Sequence, residues 1–162
     1  MIKNLAILIL LIAASRFIGL PANFSPLLAL AIFMPRLTDD LRIQHLLPVA
    51  IVGFTNLFLE PVNGFIFIAL LLVFVIAPLL SRSTKNLFYG GLAAVLIWHV
   101  VVNGAVWMIS GGSLIETFIA AIPFDLKLAI STGLYVALFY CAENFWMNYT
   151  ESNKKFLDML IY

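Results

Sequence analysis

His99, Asn103 and Trp107 recur every four residues within the run WHVVVNGAVW. At that spacing an α-helix sets all three on one face. An imidazole, a carboxamide and an indole can together hold a polar or aromatic ligand. Lipid offers them no hydrogen-bonding partner. The stripe therefore packs against other helices or walls a polar cavity. Just beyond it the chain turns through Gly111-Gly112 and returns beside Asp125 and Lys127.

The elements that must position these groups follow from composition. Of 162 residues, 64% are hydrophobic and only 10% charged. A soluble domain carries about 25% charged residues. The mean hydropathy of +1.10 leaves more apolar surface than a soluble core of this length can bury, so the expected solvent is a lipid bilayer. The few scattered basic residues argue against a nucleic-acid partner. A lone Cys141 excludes an internal disulfide and a Cys-rich metal site. No HExxH, GxSxG or paired Cys/His set is present, so neither catalysis, a metal nor a cofactor is expected. Asp39-Asp40 reads as a solvated turn with a capping role, and His45 has no neighbour that completes a ligand set.

Six apolar segments stand out: Leu5 to Leu20, Ser25 to Met34, Leu46 to Leu59, Gly64 to Leu80, Leu87 to Ile109 and Leu126 to Trp146. The expectation is an all-α bundle of six membrane-spanning helices. The N-terminal run resembles a signal peptide in its flanks but reads as the first span. The second and third segments are shorter than the roughly 17–25 residues of a full span. They must recruit interfacial residues or lie partly inside the bundle. Ser25-Pro26 fits an N-cap followed by proline at the first helical position. The connector Ser110 to Asp125 holds the apolar run Phe118 to Ile122, which reads as a short re-entrant or interfacial helix. Residues 1–147 form the expected transmembrane domain. Residues 148–162 form a cytoplasmic amphipathic tail.

With six spans, Lys3, Arg36, Arg42, Arg82, Lys85, Lys154 and Lys155 fall on one side, and only Arg16 and Lys127 on the other. That bias places both termini in the cytoplasm of an inner-membrane protein. It also gathers the intramembrane polar residues toward the outer face. Arg16, Asn23, Asn56, Glu60, Asn103, Trp107, Asp125 and Lys127 are thus the candidate ligand-binding residues. Charged groups at such depth cost several kcal/mol unless paired or solvated. Arg16 and Lys127 would take a carboxylate or phosphate, the asparagines would hydrogen-bond, and Trp107 would stack. Plainer roles compete. Arg16 can snorkel or pair with Glu60, and the asparagines can link helices. Trp107 can sit at the interface, and Asp125 can cap the sixth segment and pair with Lys127. His99 reads as a packed, hydrogen-bonded histidine rather than a ligand. In the sixth segment Ala129, Gly133 and Ala137, continued by Cys141, form a small-residue stripe. It suits packing within the bundle or docking to a membrane partner.

The motifs Asn23-Phe24-Ser25-Pro26, Asn103-Gly104-Ala105-Val106-Trp107 and Ala120-Ala121-Ile122-Pro123-Phe124 resemble an uncharacterised family of small bacterial membrane proteins. That family in turn resembles the substrate-binding S components of energy-coupling factor transporters. The resemblance covers Arg16 to about Tyr140. It implies an outward pocket for a vitamin-like or other small molecule, and docking to a transmembrane coupling protein driven by ATPase subunits. This chain has no P-loop of its own. Thr55-Asn56, Lys127 and Thr132 depart from the family pattern, and the Ala-xxx-Ala motif of the first helix is absent. The competing expectation is a non-catalytic accessory subunit of a larger membrane complex.

Overall fold

The computed structural model describes residues 10, 12–20, 23–59, 62–84 and 86–161, with side chains up to residue 150. The described residues form helices and turns only, with no strand. In chain order the helices are α1 (described over residues 12–15), α2 (Leu27–Leu37), α3 (Leu41–Asn56), α4 (Gly64–Thr84), α5 (Leu87–Ser110) and α6 (Leu114–Ile161).

Short polar side chains start most of these helices. Asp40 accepts from the backbone N–H of Arg42 at 2.8 Å and opens α3. Asn63 accepts from Phe65 N–H at 2.9 Å and opens α4, and Asn86 does the same for α5 through Phe88 N–H at 2.9 Å. Each satisfies one amide that the first turn leaves unpaired. Gly111, at φ +66°, ends α5 in the left-handed conformation, where a Cβ is disfavoured.

Two helices, α4 and α5, are long and apolar enough to cross a membrane. Only 28% of each apolar window is buried, whereas the core helix of a soluble protein is mostly buried. The two helices approach closely near their joining loop. A Cβ on Gly90 would stand 2.9 Å from Ser81 Cα.

The second segment behaves differently. Leu27 through Met34 are all at most 2% exposed, so α2 is buried on every side up to its last turn, where Arg36 is exposed. It packs against α3, α4, α5 and α6. Phe33 meets Phe139 of α6 at 5.7 Å between ring centres. At about 1.5 Å per residue, the 11-residue α2 is about 17 Å long. It lies inside the bundle, the second of the two arrangements its length allows. The helix begins at Leu27, with Pro26 just outside it, one position later than the cap pattern predicts. The Ser25 hydroxyl still accepts from Leu27 N–H, at 3.3 Å.

The largest difference from expectation is α6. The connector does not form a separate re-entrant helix. Leu114 to Phe124 are the first turns of one helix that continues through Pro123, the sixth segment and the tail to Ile161, 48 residues in all. The expected boundary before residue 148 has no break in the helix. At about 1.5 Å per residue that is about 72 Å, more than twice a hydrocarbon core of about 30 Å.

α5 and α6 run antiparallel from the Gly111–Ser113 turn. His99 lies against Asp125, and Gly91 against Thr132. His45 at the start of α3 reaches the carbonyl of Val75 in the second half of α4, at 2.7 Å. Arg36 at the end of α2 bonds Glu143 of α6 at 2.8 Å. These contacts set Arg36, Arg42 and Arg82 at one end of the helical body, with Arg16, Asn23, Asn56 and Trp107 toward the other.

Candidate functional site

A cavity of about 260 Å³ extends from the chain between α1 and α2 toward the middle of the bundle. Arg16, Asn23 and Ser25 line it from that chain segment, with Ser15 from α1. Phe74 and Trp98, midway along α4 and α5, form an apolar wall, with their rings edge to face at 6.3 Å. Leu128 of α6 lies opposite.

Local geometry explains why these groups meet. After α1 the backbone turns, with Arg16 N–H bonded to the carbonyl of Ala13 at 3.2 Å. Asn23 adopts φ +63°, a left-handed conformation that asparagine tolerates better than most residues. The Ser131 hydroxyl on α6 reaches the Asn23 carbonyl at 3.3 Å and so fastens this loop to the bundle. Among the described residues, Arg16 is the one charged residue lining the cavity. Its half-buried guanidinium can present two parallel N–H donors to a carboxylate or phosphate. Ser15, Asn23 and Ser25 add neutral polar groups.

A second polar group lies between α5 and α6. Asp125 is 7% exposed. Its Oδ2 accepts from Asn103 Nδ2 at 2.7 Å and lies 2.6 Å from His99 Nδ1. A coherent proton arrangement has His99 Nδ1–H and Asn103 Nδ2–H both donating to that oxygen. The 3.2 Å separation of Asn103 Nδ2 from His99 Nδ1 is then proximity, not a third bond. Phe118, in the first turns of α6, meets the imidazole edge to face at 5.1 Å. Asp125 therefore neither starts a helix nor pairs with Lys127. It sits on the inner face of α6 and ties that helix to α5.

The eight predicted ligand residues do not gather in one pocket. Arg16 and Asn23 line the cavity, whereas Asn103 and Asp125 form the interhelical cluster with His99. Asn56 ends α3, half-buried. Trp107 donates its indole N–H to the carbonyl of Gly112 at 3.0 Å and fastens the turn after α5. Lys127 is exposed, with Nζ 5.6 Å from the centre of the Phe124 ring. Glu60, and with it the Arg16–Glu60 pairing, lies outside the described residues. The sequence reading of His99 as a packed, hydrogen-bonded histidine agrees with its bond to Asp125, whereas Ser15, Ser25, Phe74 and Trp98 were not among the expected cavity residues. Among the described residues, no three His, Cys, Asp or Glu side chains group as a metal-ligand set.

The small-residue stripe is divided. Ala129 packs against the core, whereas Gly133 and Ala137 are exposed, and a Cβ built on Gly133 meets no atom within 4 Å beyond its own helix. With Ala129 they line a groove of about 870 Å³ between α5 and α6.

Residues 2–153 match a family described as a family of unknown function (DUF6580). No curated protein and no solved structure matches the chain.

Proposed function

The chain belongs to the DUF6580 family, whose description names no activity, and we propose that it is a membrane-embedded binding protein for a small anionic molecule, serving as the capture component of an uptake system. The observation that carries this reading is the cavity lined by Arg16, Asn23 and the Phe74–Trp98 pair. A positive planar group, neutral hydrogen-bonding groups and an apolar wall together suit a carboxylate or phosphate on a compact body. Ligand sites commonly measure about 300–1,000 Å³, so a cavity of about 260 Å³ fits a small ligand. An accessory subunit held only by helix packing has no use for such a space.

Membrane placement is supported by surface chemistry. Besides the apolar lengths of α4 and α5, the protein exposes Ile68, Leu72, Phe88, Leu96, Val100 and Leu134, each 48–67% accessible. Apolar exposure this extensive is foreign to a soluble monomer. Arg36, Arg42 and Arg82 at one end favour a cytoplasmic position for it. The cavity then lies toward the outer face. Energy for uptake would come from a separate ATPase-driven coupling protein, as the S-component resemblance implies.

The test is mass spectrometry of small acids co-purifying with protein extracted in mild detergent. Wild-type protein should carry one, and Arg16→Ala should lose it while Arg16→Lys keeps a part. Equal retention by wild type and Arg16→Ala rejects the cavity as the site.

A further inference from the structure

The groove between α5 and α6 is larger than the Arg16 cavity and distinct from it. Its floor is Ala129, Gly133 and Ala137 on α6, and its other wall is Gly91, Leu92 and Val95 on α5. From Ala129 to Tyr140 it follows α6 for about 16 Å at about 1.5 Å per residue, half of a hydrocarbon core of about 30 Å. It stops short of the level where His99 and Asp125 join the two helices.

Its polar groups are unevenly placed. Arg36, Asn86 and Tyr140 stand at the end that carries Arg42 and Arg82. Towards the bundle middle the lining is apolar except for Thr132. The Arg36 guanidinium lies 5.4 Å from the Tyr140 ring centre and 5.9 Å from that of Phe33. Only its Nε is used, donating to Glu143 at 2.8 Å. Among the described residues the two terminal NH₂ groups have no acceptor, and the side chain is 40% exposed. A guanidinium has five N–H donors, so four remain for an anion.

We propose that this groove holds an acyl chain of one anionic phospholipid from the leaflet at the basic end, with the phosphate on Arg36. The inference rests on membrane placement but not on the Arg16 cavity. One leaflet of apolar length, small residues that open the floor, and spare guanidinium donors at the headgroup end match an amphiphile.

The protein in a non-ionic detergent is mixed with phosphatidylglycerol or phosphatidylcholine of identical chains, and bound lipid is read by native mass spectrometry. Wild type should retain one phosphatidylglycerol, about 5-fold better than phosphatidylcholine, the effect expected of one basic side chain at an anionic surface. Arg36→Gln should make the two lipids equal. Glu143→Gln, which removes the competing carboxylate, should raise phosphatidylglycerol retention. Gly133→Leu projects into open space and should expel the lipid while leaving the fold intact, and Ala137→Leu should do the same. Equal retention of both lipids by wild type, or unchanged retention in both leucine variants, overturns the proposal. Protein that is soluble and monodisperse without detergent overturns the membrane reading instead.

Discussion

His99 Nδ1 lies 2.6 Å from Asp125 Oδ2, and both residues stand thirteen positions from Gly112 in the turn between α5 and α6. Residues equidistant from the turn of an antiparallel helical hairpin come level with each other. The bond is therefore a direct product of the hairpin, and it fixes the rotation of α6 about its axis. Removing the carboxylate with Asp125→Ala strands two donors. The expected loss is about 1–3 kcal/mol, the range for a buried polar group left unpaired. In a membrane protein the pairwise part is smaller, averaging about 0.6 and reaching about 1.7 kcal/mol. A double-mutant cycle of His99→Phe with Asp125→Ala, followed by unfolding in detergent, should give a coupling in that interval. Additive effects within about 0.3 kcal/mol would show that the bond contributes nothing of its own.

That relationship was open to sequence reasoning and was passed over. Weighed alone, His99 looks like any packed histidine. Weighed as a member of a hairpin centred on Gly112, it faces an aspartate. The same applies to α6. Pro123-Phe124-Asp125 resembles a helix start, which suggests a break there. Ser113 and Glu116, however, have the spacing of a capping box, and the Ser113 hydroxyl accepts from Glu116 N–H at 3.4 Å. The earlier cap sets the start, and the helix runs on through the proline. By contrast α5 was legible almost to the residue, because Asn86 and Gly111 bound its long apolar run, and α4 was legible at its start through Asn63, though it runs a turn beyond Leu80 to Thr84. The Arg16 cavity was legible only in part. Arg16 and Asn23 are polar and stood out, but Phe74 and Trp98 are ordinary apolar residues until α4 and α5 bring them against the α1–α2 loop.

The contact of α4 with α5 depends on a missing side chain. At Gly90 an added Cβ would meet the Ser81 backbone at 2.9 Å, and a backbone atom cannot swing aside. Gly90→Ala should cost about 1–3 kcal/mol, as overpacking generally does. Gly104→Ala on the same helix meets no atom within 4 Å and gains helix propensity, so it should be neutral or slightly stabilising. Thermal unfolding of the two variants in one detergent reads the contrast, and equal midpoints would remove the close approach as a source of stability.

Orientation is measurable with single cysteines in a Cys141→Ser background. Ser83→Cys lies at the end holding Arg36, Arg42 and Arg82, and Ser110→Cys lies at the opposite end of α5. Sealed right-side-out vesicles should label Ser110→Cys with an impermeant maleimide, and Ser83→Cys only after permeabilisation. The reverse pattern contradicts the arrangement expected from the basic residues and moves the Arg16 cavity to the cytoplasmic face.

Burial of α2 on every side separates this protein from a ring of equal spans. In a ring, each helix turns one stripe to lipid, and truncating a residue on that stripe exchanges contact with lipid for contact with lipid. Here Phe33 is 1% exposed and packed on Phe139. Phe33→Ala leaves a void that lipid cannot reach, so it should cost about 3–5 kcal/mol. Leu134→Ala, at a position 58% exposed on α6, should stay within about 0.5 kcal/mol. Unfolding free energies in a common detergent give both values. A small effect at Phe33 would mean that the centre of the bundle relaxes around the gap, and that α2 acts as a replaceable filler. A large one makes α2 the post around which α3, α4, α5 and α6 assemble, with the loop that precedes it presenting Asn23 and Ser25 to the cavity.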